Sequence, residues 1–159
     1  MKIFLDSSDV EAIQEAYDTG LIDGVTTNPT LILRNGGDPK EVLQDITEIF
    51  PWDASISAEV VGRNAEEMLA VADDYLSIAQ NITIKVPCNV EGLKACRDLA
   101  NDDIPVNVTL VFSTAQAILA AKAGAKYVSP FVGRVEDNSF EALSLVKDIC
   151  FTFEKHNIE

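Results

Sequence analysis

At 159 residues, 47% hydrophobic and 24% charged, the chain has material for one ordinary domain with a real core. Acidic residues number 26 against 12 basic ones, a formal charge of −14. That field repels phosphate backbones and anionic lipid heads, so nucleic acid and membrane surfaces are poor partners, while a small phosphate needs only one local positive site.

No apolar run approaches the ~18–20 residues of a membrane helix. The opening Met1-Lys2-Ile3-Phe4-Leu5-Asp6 meets an acid too early for a secretory signal, so a cytoplasmic protein is expected. Cys88, Cys96 and Cys150 are odd in number and lack CxxC spacing, which reads as buried or half-buried thiols rather than a disulfide framework or zinc cage. The one histidine, His156, lies in a terminal stretch prone to fray, a poor place for a general base. With no GxxxxGK[ST] or GxGxxG motif, any chemistry falls to Lys, Asp, Glu, Asn, Thr and Ser, and no metal or organic cofactor is expected.

In chain order, short apolar runs at residues 2–5, 23–26, 54–60, 82–86, 106–111 and 126–131 alternate with helix-like segments. Their starts recur every ~20–30 residues, close to a strand plus its crossover helix. Ser8, three before Glu11, reads as the cap of a first helix carrying Ile13, Ala16 and Tyr17. Pro39 opens the next, with Val42, Leu43, Ile46, Ile49 and Phe50 on one stripe. Asn64 caps 65–79, and Ser113 caps 115–123, which Gly124 ends. The last helix, 140–156, carries Leu143, Val146, Ile149, Cys150 and Phe153. Such alternation means parallel strands with helices covering the sheet, and both an open doubly wound sheet and a closed barrel fit it.

Polar residues collect at the C-terminal ends of the strands, where α/β folds build their sites. Asp6 ends the first, Thr26, Thr27 and Asn28 the second, Glu59 the third and Lys85 the fourth. Asn107 and Thr109 lie in the fifth, Ser129 in the sixth, and Arg134 just beyond. Side chains two apart share a face, so Ser55, Ser57 and Glu59 point together, as do Thr83 with Lys85, Asn107 with Thr109, and Ser129 with Phe131. Lys85 stands inside the apolar run Ile82-Thr83-Ile84-Lys85-Val86-Pro87. It is either an edge lysine that discourages aggregation, or an amine whose charged form desolvation disfavours, freeing a nucleophile for a carbonyl. Asp6 and Glu59 are candidate acid and base.

The segments Asp23-Gly24-Val25-Thr26-Thr27-Asn28-Pro29-Thr30-Leu31, Ile84-Lys85-Val86-Pro87, Asn107-Val108-Thr109-Leu110-Val111-Phe112-Ser113 and Tyr127-Val128-Ser129-Pro130-Phe131-Val132-Gly133-Arg134 resemble the transaldolase family, in particular its small branch that includes fructose-6-phosphate aldolases. The resemblance implies a TIM (β/α)8-type barrel, of which six βα units are counted here in a single domain spanning 1–159, without the last two. It further implies Lys85 as the Schiff-base lysine, Asp6 acting on a substrate hydroxyl, and Glu59 with Thr109 positioning the catalytic water. Thr26, Asn28, Asn107 and Ser129 would hold the dihydroxyacetone unit, beside Phe131, and Arg134 the phosphate. Glu59 and Phe131 are the transaldolase residues at positions where the aldolase branch usually has Gln and Tyr. The expected activity is therefore transfer of a dihydroxyacetone unit between sugar phosphates in the pentose phosphate pathway, by a homo-oligomer. The alternatives are fructose-6-phosphate aldolase, and a shortened non-catalytic module that binds a sugar phosphate or a partner subunit.

Overall fold

The structure is a computed structural model describing residues 1–34, 36–133 and 142–158. Strands β1 (Phe4–Asp6), β2 (Gly24–Thr26), β3 (Ser55–Glu59), β4 (Ile82–Pro87), β5 (Val106–Val111) and β6 (Tyr127–Pro130) alternate with helices. The helices are α1 (Val10–Asp18), α2 (Pro29–Arg34), α3 (Pro39–Ile49), α4 (Ala65–Leu76), α5 (Val90–Asn101), α6 (Thr114–Lys122) and α7 (Ala142–His156). The chain divides into two compact units, Met1–Val61 with Ala70–Ile84, and Gly62–Leu69 with Lys85–Glu159, so β4 and α4 each contribute residues to both.

In the first unit the strand order is β1-β2-β3-β4. β2 runs parallel to β1 and β3, with Asp6 opposite Thr26 and Thr26 opposite Ser57. Val25, Ile56, Ile82 and Ile84 are buried to 1% exposure or less, as expected where strands face covering helices. Ile13, Leu43 and Ile46 supply the helical side of this core. Capping departs from expectation in α1: the helix begins at Val10, and Asp9 rather than Ser8 accepts the amide of Ala12. Ser8 is instead buried, one residue too early for the cap. Pro39 does open α3, after Asp38 as its cap. At the other end of α3, the side-chain amide of buried Asn81 donates to the carbonyls of Thr47 and Phe50, acceptors at the helix end, and shares that of Pro51 with the amide of Ala54.

In the second unit the order is β4-β5-β6, with β5 and β6 parallel. Val86, Val106, Val108, Val111, Ala95, Cys96, Ala117 and Ala120 are fully buried. Helix α5 was not foreseen: its stripe is Gly92, Ala95, Cys96 and Leu99, small residues at helical spacing, capped by Asn89. Ser113 caps α6 as expected, and Gly124 follows with φ +95°, a left-handed helix end. On α7, Ile149 is buried, but Leu143 and Cys150 are exposed, against the expected stripe and thiol burial. The expected start of that helix at residue 140 lies outside the described residues. Among the described residues no helix is long and apolar enough to cross a membrane.

The pleat of β5 is broken once. Val108 lies opposite Val128 and Val111 opposite Pro130, so three residues of β5 advance against two of β6. The additional residue falls beside Leu110, whose φ of 59° is left-handed. This is a β-bulge, carried by a leucine where a glycine or asparagine is usual.

Candidate active site

In the first unit, β1 and β2 bring Asp6 and Thr26 side by side, and the Thr26 hydroxyl donates to the Asp6 carboxylate at 2.8 Å. Parallel register makes them direct neighbours, so Thr26 orients the carboxylate. The side-chain carbonyl of Asn28 accepts the amide of Leu31 at 3.0 Å. Asn28 thus caps α2, a short helix that the sequence does not announce, and its side-chain amide can still donate to a further partner. Thr27 is buried, and its hydroxyl donates to the carbonyl of Ser57 at 2.9 Å. Ser55 and Thr83 share a hydrogen bond of 2.7 Å. Glu59 is half-buried at the end of β3.

In the second unit, Lys85 is 6% exposed within β4, so it is not an edge lysine reaching into water. Thr109 is 1% exposed, and its hydroxyl has no hydrogen-bond partner among the described residues. A buried hydroxyl without a partner carries a desolvation cost, and such positions are commonly answered by a bound water or a ligand. Ser129 donates to the side-chain oxygen of buried Asn107 at 2.8 Å. The Phe131 ring lies 5.7 Å from that of Phe112, tilted by 45°. Arg134 lies outside the described residues.

The structure therefore joins Asp6 to Thr26 in one unit, and Asn107 to Ser129 and Phe131 to Phe112 in the other. Phe112 was missed by sequence reading, because simple alternation from Asn107 and Thr109 puts it on the opposite face. Burial raises the thiol of Cys88, and burial with Cys88 close by pushes that of Cys96 up to about 11. Among the described residues no cluster of His, Cys, Asp and Glu could hold a metal ion.

The family model for transaldolase/fructose-6-phosphate aldolase matches residues 3–159. The chain belongs to that family. It is 50% identical over 157 residues to a probable transaldolase of Sphingopyxis alaskensis, covering 99% of this chain and 72% of that protein. A probable transaldolase of Geobacter sulfurreducens is 48% identical, over all of this chain and 73% of its own length. Among solved structures, dihydrodipicolinate synthase from Rhodopseudomonas palustris superimposes with a TM-score of 0.64 at 14% identity, over 96% of this chain and 58% of that one. This likeness concerns the fold alone. It decides between the two architectures left open by the strand–helix rhythm: the six βα units are of TIM-barrel type.

Proposed function

We propose that the protein is a transaldolase working through a Schiff base on Lys85. The observation that carries this reading is a lysine 6% exposed in an apolar strand of a transaldolase-family chain. In that reading the Lys85 amine attacks a ketose carbonyl and forms the Schiff base. The Schiff base then acts as an electron sink, and the neighbouring C–C bond breaks without a cofactor as Asp6 takes the proton of the substrate hydroxyl. Thr26 holds that carboxylate at 2.8 Å. Glu59 and Thr109 position the water of the protonation and hydrolysis steps, a task suited to the unpartnered Thr109 hydroxyl. Asn28, Asn107 and Ser129 take hydroxyls of the dihydroxyacetone unit, Phe131 packs beside it, and Arg134 takes the phosphate.

In this reading the substrates are sugar phosphates of the pentose phosphate pathway, the protein is cytoplasmic, residues 1–159 act as one barrel-type domain with six βα units, and it assembles as a homo-oligomer. Borohydride trapping with fructose 6-phosphate followed by intact-mass measurement tests it. A reduced adduct should map to Lys85 and vanish in Lys85→Ala. Adduct persisting in that variant would move the nucleophile to another lysine, such as Lys94 or Lys122. Transfer is separated from simple aldol cleavage by dihydroxyacetone release without an aldose acceptor, which should be slow.

A further inference from the structure

The bulge in β5 changes which residues reach the polar face. Before it, Asn107 lies opposite Tyr127, and Ser129 shares their face, bonded to Asn107 at 2.8 Å. Val108, Val128 and Pro130 take the other face. Unbroken alternation would send Val111 to the polar face with Asn107 and Thr109. The extra residue at Leu110 reverses this: Val111 pairs with Pro130 on the apolar face and is fully buried. Phe112 is thereby turned to the polar face, where its ring meets Phe131.

Two further contacts hold it there. Past the bulge, the amide of Phe131 donates to the carbonyl of Val111 at 3.0 Å, resuming the ladder. The amide of Phe112 donates to the side-chain oxygen of Gln116 at 2.8 Å, and Gln116 is itself fixed through Ser113, the α6 cap. The Phe112 side chain remains 46% exposed at the C-terminal ends of the strands. A large aromatic left open, and in tilted ring contact with Phe131 among the described residues, is a surface suited to a ligand.

We propose that Phe112 is a second aromatic determinant of the site, presented by the Leu110 bulge, and that it governs whether the three-carbon adduct waits for an aldose or is lost to water. This rests on the Schiff-base reading. After C–C cleavage the adduct is an enamine. It can attack the acceptor's carbonyl carbon, forming a new C–C bond. Otherwise its carbon takes a proton to give the iminium, water adds to the C=N carbon, and the C–N bond breaks, returning dihydroxyacetone and the Lys85 amine. Paired rings exclude the water that would deliver that first proton, while presenting an apolar wall to the carbon chain of the sugar.

The test uses the full chain and its Phe112→Leu and Phe112→Tyr variants. Three quantities are read: borohydride-trapped adduct from fructose 6-phosphate, the ratio of acceptor-free dihydroxyacetone release to transfer onto glyceraldehyde 3-phosphate, and fructose 6-phosphate affinity by calorimetry. Phe112→Leu should still form adduct but raise the release-to-transfer ratio by about five- to tenfold, the size of effect an aromatic contact carries. Phe112→Tyr, which keeps the ring, should stay within about twofold of the parent. An unchanged ratio in Phe112→Leu overturns the proposal even where Lys85 is trapped. If the parent chain forms no adduct, the Schiff-base reading fails. In that case weakened fructose 6-phosphate binding in Phe112→Leu keeps Phe112 in the site, and unchanged binding removes it.

Discussion

Thr109 separates stability from function at a single atom. Its hydroxyl is buried and has no partner among the described residues, so folding meets a desolvation cost that no hydrogen bond there offsets. Thr109→Val removes that cost and should raise stability by about 1 kcal/mol in urea unfolding. If Thr109 positions water, the same variant should slow turnover of the Lys85 adduct. A variant that loses stability and keeps full turnover would mean the hydroxyl has only a structural use. Cys96 illustrates the opposite case, a titratable group with no role in the chemistry. Its thiol is fully buried and held up at about 11 against an ordinary value of 9.0. Both states carry the proton below pH ~9, and above it the unfolded chain ionises first. The native state should therefore lose roughly 2–3 kcal/mol between about pH 9 and 11 through this group. The difference in unfolding free energy between parent and Cys96→Ala should narrow across that window; a constant difference would show that the folded thiol titrates normally.

Among the elements, helix α5 depends on an approach that only glycine allows. A Cβ on Gly92 would run into the backbone carbonyl of Pro87 at the end of β4. Helix propensity alone favours Gly92→Ala by about 1 kcal/mol, but forcing the first turn of α5 away from β4 costs roughly 1–3 kcal/mol. The collision should win, giving a net loss of stability in thermal melts. A stabilised variant would mean that α5 can slide on β4 at little cost. The same helix explains a limit of the sequence reading. β5 was legible to the residue, since Val106–Val111 is a β-branched run bounded by turns. α5 was not, because its buried stripe of Gly, Ala, Cys and Leu lacks the large side chains that make periodicity conspicuous. Asn89, whose side chain accepts the amide of Gly92 at 2.8 Å, was the available signal. The polar strand ends were legible because each residue type stands out against an apolar run, while the bond between Asn107 and Ser129 needed the register of β5 on β6. Phe112 was illegible for a definite reason. Period-two counting assumes an unbroken pleat, and nothing in the side chain of Leu110 announces a left-handed backbone.

For the whole molecule the governing quantity is charge. A formal −14 on 159 residues means self-repulsion at low ionic strength. Compensation is local and exposed: Lys40 with Asp74 at 2.9 Å, Arg63 with Glu67 and Lys94 with Glu91. Such pairs contribute little each. Raising salt from about 10 to 150 mM shortens the screening length from roughly 30 to 8 Å, so the melting temperature should climb by a few degrees. Exposed apolar side chains such as Trp52 and Leu33 give the surface material for association once repulsion is screened. The proposed homo-oligomer should accordingly sediment as a larger species at 150 mM salt than at 10 mM, by about a factor of two or more in mass. A monomer at both ionic strengths would end that proposal.

The bulge at Leu110 also changes what kinds of genetic variation can reach the site. A substitution anywhere in β5 alters one side chain and leaves the facing of its neighbours intact. Gain of one residue beside Leu110 would do something else: it would exchange the faces of Val111 and Phe112 in one event, withdrawing an aromatic ring from the polar face and putting a small aliphatic group in its place. Loss of Leu110 would instead straighten the pleat and leave both facings as they are. Length polymorphism in this one strand is thus a route to altered selectivity that libraries built only from point changes never sample.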